Sequence, residues 1–235
     1  MDSAGYVALG RQSGLMREMS LVANNIANMS TTGFRREGVA FEEHVRRLDD
    51  EPSLSMAAGN ARIVDLSQGG MVQTGAVFDL AIQGDGFFLV ETPAGERLTR
   101  AGAFTPSAEG ELMTPDGYRL LDAGGAPVFI PPGEQAGISE DGTISVAGQP
   151  IAQIGLWQPV DSLSLRHQSG TLFNGGELEP VEAGIMKQGF LEESNVNPVI
   201  EIARMIEVQR AYELGQKFLD AEDNRARNVI QILGR

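Results

Sequence analysis

Two stretches of 4-3 spacing, one at each end of a 235-residue chain, constrain this sequence more than any other feature in it. Near the N-terminus Leu15, Met19, Val22, Ile26 and Met29 follow at steps of 4, 3, 4 and 3, the heptad spacing of a helix that packs along one stripe. The pattern predicts a helix to about Phe34. Near the C-terminus a second ladder passes through Ile202, Met205, Gln209, Tyr212, Gln216, Leu219, Asp223, Ala226, Ile230 and Leu233. Asn197-Pro198 is a strong start for that helix, with Asn as N-cap and Pro at the first helical position, and Gly234 is a stop. At ~1.5 Å per residue it would span ~50 Å.

Neither helix is self-sufficient. Gly5, Gly10 and Gly14 each cost ~1 kcal/mol relative to Ala in a helix interior. Asn24, Asn25 and Asn28 are poor helix formers too, and several rungs of the C-terminal ladder are polar. A heptad stripe is ordinarily a helix face packed inside its own domain. Here two weak helices sit at opposite chain ends, so each needs a partner, and the other is available.

Between them, residues 75–190 read as all-β. Short apolar runs alternate with turn signals: Phe87-Phe88-Leu89-Val90 precedes Pro93-Ala94-Gly95, and Tyr118-Arg119-Leu120-Leu121 precedes Gly124-Gly125. Spacing of about ten residues suggests an irregular sandwich or barrel. Residues 36–74 look like an extended linker, with a polar run at Asp49-Asp50-Glu51-Pro52. The expected class is α+β: paired long N- and C-terminal helices forming a coiled-coil-like stem, around a central irregular all-β domain. The expected divisions are 1–35 (N-terminal helix), 36–74 (linker), 75–190 (β domain) and 191–235 (C-terminal helix).

Charge is unevenly spread. Residues 1–50 hold six basic and seven acidic side chains, residues 51–190 six and 17, and residues 191–235 six and eight. The acidic middle repels phosphate backbones, which disfavours nucleic-acid binding. Near-neutral ends can pack against copies of themselves. Hydrophobic residues make up 42%, enough for a packed core. No apolar run approaches the ~18–20 residues of a membrane span. The start Met1-Asp2-Ser3 has no basic and apolar leader pattern, so no cleavable signal is expected.

The residues that carry chemistry are sparse. Absence of Cys removes disulfides and thiolate ligands, and with only His44 and His167 most zinc sites are unlikely. No Gly-x-Ser-x-Gly elbow is present, and neither His lies in a recognisable motif, so both read as surface or structural. The acids mostly precede Gly, as in Asp85-Gly86, Asp116-Gly117 and Asp141-Gly142, which is turn chemistry. Gly84-Asp85-Gly86 lacks the third Gly of a dinucleotide fingerprint. No Asp-x-Asp-x-Asp-Gly calcium loop exists. No catalytic, metal or cofactor residue is assigned, and no cofactor is expected.

Four segments resemble one family. Residues 23–36, Ala-Asn-Asn-Ile-Ala-Asn-Met-Ser-Thr-Thr-Gly-Phe-Arg-Arg, resemble the N-terminal signature of bacterial flagellar rod and hook proteins. Residues 79–88, Asp-Leu-Ala-Ile-Gln-Gly-Asp-Gly-Phe-Phe, resemble its strand–turn–strand motif, and Thr99-Arg100-Ala101-Gly102-Ala103-Phe104 the segment that follows. Residues 188–197, with Met205-Ile206 and Gln209-Arg210-Ala211-Tyr212-Glu213, resemble its C-terminal signature. Met1-Asp2-Ser3-Ala4-Gly5-Tyr6, Asp141–Ser145 and the short length are most like the proximal-rod members, while residues 209–213 are closer to the distal-rod version.

The resemblance implies a non-enzymatic structural subunit of the periplasmic rod, part of the shaft that transmits torque for motility. It implies export by the flagellar type III apparatus, and as partners copies of the chain and neighbouring rod proteins. A distal-rod or hook-type subunit is the alternative within the family. A secreted adhesin or a carbohydrate-binding module is the alternative outside it. The subunit interface would draw on Leu15, Met19, Val22, Ile26 and Met29, with Ile202, Met205, Ile206, Gln209, Arg210, Tyr212, Leu219, Ile230 and Leu233. Asn24, Asn25 and Asn28 would bridge amides, Gly33 would reverse the chain beside Phe34, and Asn195 and Asn197 lie in the C-terminal signature.

Burying each apolar rung contributes ~1.5–3 kcal/mol, against ~1–2 kcal/mol of ordering entropy per backbone residue. That near balance makes helix formation conditional on partners. Circular dichroism of the purified full chain, compared with a chain lacking residues 1–34 and 197–235, is expected to show little added helix before assembly. Two fully formed, stable helices in the free chain would refute conditional folding.

Overall fold

The computed structural model describes residues 3–48, 51–131, 133, 136–181 and 184–233. Side chains at 3–6, 40–48, 51–61, 226, 229, 230, 232 and 233 lie outside that description. So do the expectations for His44, Asp49-Asp50, Ala226, Ile230, Leu233 and Gly234. Two helices and a β-rich middle make the chain α+β: α1 covers Ser3–Ala27 and α2 covers Pro198–Leu233.

The chain divides into two compact units. The first holds residues 1–27, 37–63 and 197–235, and the second residues 28–36 and 64–196.

In the first unit, Asn197 caps α2: its Oδ1 accepts from Val199 N at 3.0 Å and Ile200 N at 3.3 Å. Asn occupies this position because its short side chain satisfies amides that have no partner in the first turn. Residues 36–74, read from sequence as a linker, contain strands Glu37–Leu48 and Glu51–Val64, which pair as a two-stranded sheet. They also contain Met71–Gln73, which pairs antiparallel with Phe190–Glu192.

The second unit is antiparallel. A seven-stranded sheet runs in the order 166–169, 172–174, 95–99, 88–92, 119–120, 112–113 and 105–106. A three-stranded meander, Ala136–Ile138, Thr143–Val146 and Gln149–Gln153, and three strand pairs complete it. The run Phe87-Phe88-Leu89-Val90 is apolar throughout because both its faces are covered. Successive side chains of a strand point to opposite sides. Phe88 and Val90 enter the larger core with Leu80, Ile82 and Leu120, while Phe87 and Leu89 enter a smaller one with Leu98 and Phe173. The Asp-Gly turns behave as expected: Gly86, Gly117 and Gly142 all have positive φ, between +81° and +102°.

Phe88 is fully buried and meets Phe104 edge-on at 5.3 Å. Phe88→Ala is expected to destabilise this unit by roughly 3–5 kcal/mol. The measurement is urea unfolding followed by the fluorescence of Trp157, the single Trp. A loss below about 1 kcal/mol would contradict the packing described.

Candidate functional site

Among the described residues no group of three or more His, Asp or Glu side chains could hold a metal ion. Also among the described residues, no helix is long and apolar enough to cross a membrane. The arrangements that concentrate the sequence motifs are one buried node in each unit and the helix surfaces.

In the second unit the node is Glu192, at the end of strand Phe190–Glu192. Its Oε1 pairs with Arg35 Nη2 at 2.8 Å and accepts from Gly69 N at 2.9 Å, and its Oε2 pairs with Arg100 Nη1 at 3.1 Å. All three side chains are nearly inaccessible. Arg100 Nη2 also donates to Gly84 O at 2.6 Å, and Arg35 Nη1 to Ser67 O. Burial pushes the Arg100 guanidinium down to about 10, helped by the neighbouring Arg35 and opposed by Glu192 and Asp85. Burial also lowers Arg35, against Glu192, Asp65 and Asp85. Both stay protonated at neutral pH, so one carboxylate holds two buried cations.

The N-terminal motif docks onto this node by its backbone. Gly33 N donates to Glu192 O at 2.7 Å, and Asn195 N to Phe34 O at 3.4 Å. Asn195 Oδ1 accepts from Arg36 N at 2.7 Å, while its Nδ2 donates to Asp65 O and Ser67 O at 3.0 and 2.8 Å. Gly33 has φ +70°, and a Cβ there would lie 2.3 Å from Ala101 N, so the turn accepts no side chain. Phe34 is fully buried, its ring 5.1 Å from His167, which in turn meets Phe173 at 4.6 Å.

In the first unit the node is Asn25, fully buried near the end of α1. Its Oδ1 accepts from Glu37 N at 3.0 Å, and its Nδ2 donates to Glu37 O at 2.8 Å and to Glu201 Oε2 at 3.1 Å. Glu201 is itself fully buried in the first turn of α2, where the helix dipole favours an anion. Burial pushes the Glu37 carboxyl up, opposed by Arg62 and a hydrogen bond from Asn24.

On α2, among the described residues, Glu201, Met205, Val208, Tyr212, Gly215, Leu219 and Glu222 are covered at steps of 4 and 3, with Ala211 beside them. The ladder read from sequence shares Met205, Tyr212 and Leu219 with this seam. Ile202, Ile206, Gln209 and Arg210 are exposed instead. On α1, Val22 is buried and Leu15, Met19 and Ile26 are half-buried. In the second unit Asn28 is half-covered and hydrogen-bonds Thr31, while Met29 is exposed. At about 100° per residue, Val199, Ile202, Ile206 and Leu214 project within about 60° of the direction opposite Val208. Ile202 is 51% exposed, Leu214 66% and Phe218 45%. A cleft of about 650 Å³ whose walls include Val7, Leu15, Leu214 and Phe218 opens beside them.

Sequence reasoning missed Glu192, Arg35 and Arg100 as core residues, and Glu201 and Gly215 as seam residues. Charged and glycine positions carry no hydrophobic signal. Arg35 and Arg100 were visible only as parts of motifs.

Glu192→Gln removes the carboxylate that is ion-paired with two buried guanidinium groups. It is expected to cost roughly 3–5 kcal/mol in urea unfolding, against under about 1 kcal/mol for the exposed Glu179→Gln. Equal losses for the two would show that the node is not buried as described.

Comparison with known proteins places these elements. The family model described as "Flagella basal body rod protein" matches residues 6–35. "Flagellar hook protein FlgE/F/G D1 domain" matches 81–146, and "Flagellar basal body rod FlgEFG protein C-terminal" matches 187–232. The chain is 38% identical to the flagellar basal-body rod protein FlgF of Caulobacter vibrioides, covering 100% of this chain and 99% of that one. It is 38% identical to FlgF of Mesorhizobium japonicum and 35% to FlgF of Rhizobium meliloti, with the same coverage in each case.

Proposed function

Because the chain belongs to the family of flagellar basal-body rod proteins and is a structural subunit of the proximal rod, not an enzyme, we propose that it polymerises through its terminal helices. One observation carries the proposal: α2 covers one face on its own chain and leaves Val199, Ile202, Ile206 and Leu214 in solvent on the opposite face. A row of exposed large apolar side chains marks an interaction surface. In a shaft built of like subunits the available partner is the terminal helix of a neighbour.

On this reading α1 and α2 together form a coiled-coil-like stem. Leu15, Met19, Val22 and Ile26 hold it with Met205, Tyr212 and Leu219. Ile202, Ile206, Gln209 and Arg210 face neighbouring copies or other rod proteins. Met29, exposed within the N-terminal motif, is a separate contact of the second unit. The cleft lined by Leu214 and Phe218 is a socket for an apolar side chain of the next subunit. Asn24, Asn25 and Asn28 bridge amides, Gly33 and Phe34 turn the chain, and Asn195 and Asn197 open the C-terminal signature. The division expected from sequence (1–35, an extended linker at 36–74, 75–190 and 191–235) is replaced by the two compact units, with α1 ending at Ala27 and residues 28–36 belonging with 64–196. Export through the flagellar type III apparatus without a cleaved signal, self-association, and torque transmission in the periplasm complete the proposal.

The test is the double substitution Ile202→Asp with Ile206→Asp. Both side chains are exposed in the chain, so urea unfolding of the purified protein is expected to change by less than about 0.5 kcal/mol. Motility and recovery of basal bodies extending beyond the proximal rod are expected to be lost. Normal motility with a charged outer face would overturn the proposal.

A further inference from the structure

Three polar rungs cross from α1 to α2. Gln12 Nε2 donates to Tyr212 O at 3.0 Å, Arg204 Nε donates to Glu18 Oε1 at 2.6 Å, and Asn25 Nδ2 donates to Glu201 Oε2 at 3.1 Å. Positions rise along α1 as they fall along α2, so the rungs define one antiparallel register. Gly215 makes room for the first: a Cβ there would lie 2.6 Å from Gln12 Nε2. Gln12, Glu18, Asn25 and Glu201 are all buried, although Gln, Glu and Asn are residue types found mostly exposed.

We infer that these rungs are a register lock, and that Asn25 is the specificity-determining residue that decides which pairing the two helices accept. The inference rests on the reading of the helices as assembly elements. A 4-3 apolar ladder is degenerate. A slip of seven residues presents another set of apolar rungs, and a shaft of like subunits offers many copies of each helix. Apolar packing alone therefore discriminates poorly between the native pairing, a slipped one and one between chains. Polar rungs do discriminate, as a single buried Asn does in coiled coils. In any other register the inaccessible Glu201 carboxylate loses the hydrogen bond from Asn25, and a buried carboxylate that loses a hydrogen bond is penalised.

The chemistry at position 25 is specific to Asn. Its amide is used in full: the oxygen takes the Glu37 N–H, and the two N–H groups go to Glu37 O and to Glu201. The donor–acceptor pattern of Glu37 fixes which way the amide points. Asp would keep the acceptor, lose both donors and set a second carboxylate against Glu201. Leu would keep the volume and lose all three bonds.

The chain contains no Cys, so introduced pairs report without background. Leu15→Cys with Ala211→Cys, both on the wall of the cleft, reports the native register, and Leu15→Cys with Phe218→Cys a slip of one heptad. Disulfide yields are read on non-reducing gels of subunits from isolated basal bodies. The 15/211 bond is expected to predominate. Asn25→Asp is expected to lower it about tenfold while the 15/218 bond or links between chains rise. Adding Glu201→Gln, whose amide can donate to Asp at position 25, is expected to restore the 15/211 yield. Where Asn25→Asp gives no basal bodies, recovery of motility on adding Glu201→Gln serves the same purpose. An unchanged 15/211 yield in Asn25→Asp, or no recovery with Glu201→Gln, would overturn the inference while leaving rod assembly through the outer face standing. Loss of motility in Ile202→Asp with Ile206→Asp while 15/211 still forms would separate the two readings in the other direction.

Discussion

One carboxylate, Glu192, organises the second unit. It lies at the end of a three-residue strand too short to be stable by pairing alone. What holds that strand is charge: two guanidinium groups and a backbone amide converge on its two oxygens. Arg100 brings the loop after strand Gly95–Thr99, with its cation 5.2 Å above the Phe87 ring. Arg35 brings the segment after Gly33. A buried cation without an anion is far costlier than the ion pair is favourable, so the three cannot be satisfied separately. Their joint burial specifies one arrangement of strand 190–192 and segment 28–36, which hydrophobic contacts alone would leave open. Asp65 and Asp85 add negative potential near the surplus positive charge.

The first unit uses the same device at lower charge density. Asn25 acts on Glu37 as a neighbouring strand would, accepting from its N–H and donating to its carbonyl. It spends its remaining donor on Glu201. The N-terminal signature, residues 23–36, therefore contributes to both units, with Asn25 serving the first and Gly33 to Arg36 the second. Its composition, poor for a helix, follows from that double duty. Asn, Thr and Gly are present because their side chains or their freedom of φ solve local hydrogen-bonding problems, and helix propensity is given up in exchange.

How much of this was legible in the sequence depended on whether the signal was apolar. The Asn197-Pro198 start of α2, the Asp-Gly turns and the doubly buried run Phe87–Val90 were readable because propensity and pattern agree there. The seam of α2 was half readable. Met205, Tyr212 and Leu219 belong to it, but a ladder drawn through apolar and amide residues passes over Glu201 and Gly215, which face inward for reasons of hydrogen bonding and close approach. Residues 37–64 carried a strand signal in the spacing of Val39, Phe41 and Val45 by multiples of two. The intervening Glu42, Glu43, Arg46 and Arg47 made the stretch read as a solvated linker. Arg35, Arg100 and Glu192 were unreadable as core, since nothing in a sequence distinguishes a paired charge from an exposed one.

On the proposed assembly through the terminal helices, the distribution of charge and apolar surface bears on a conflict that a polymerising chain faces. Exposed Ile202, Ile206, Leu214 and Phe218 favour association and also premature aggregation. The near-neutral ends allow helices of neighbouring copies to approach without strong repulsion. Residues 51–190, with 17 acidic side chains against six basic ones, give every copy a like-charged body. That repulsion opposes random collisions between free chains. It acts over about 8–10 Å at physiological ionic strength, so it weighs on encounters that bring the β regions of two chains together. On the proposed assembly through the terminal helices, near-neutral ends and an acidic middle favour ordered growth over disordered aggregation.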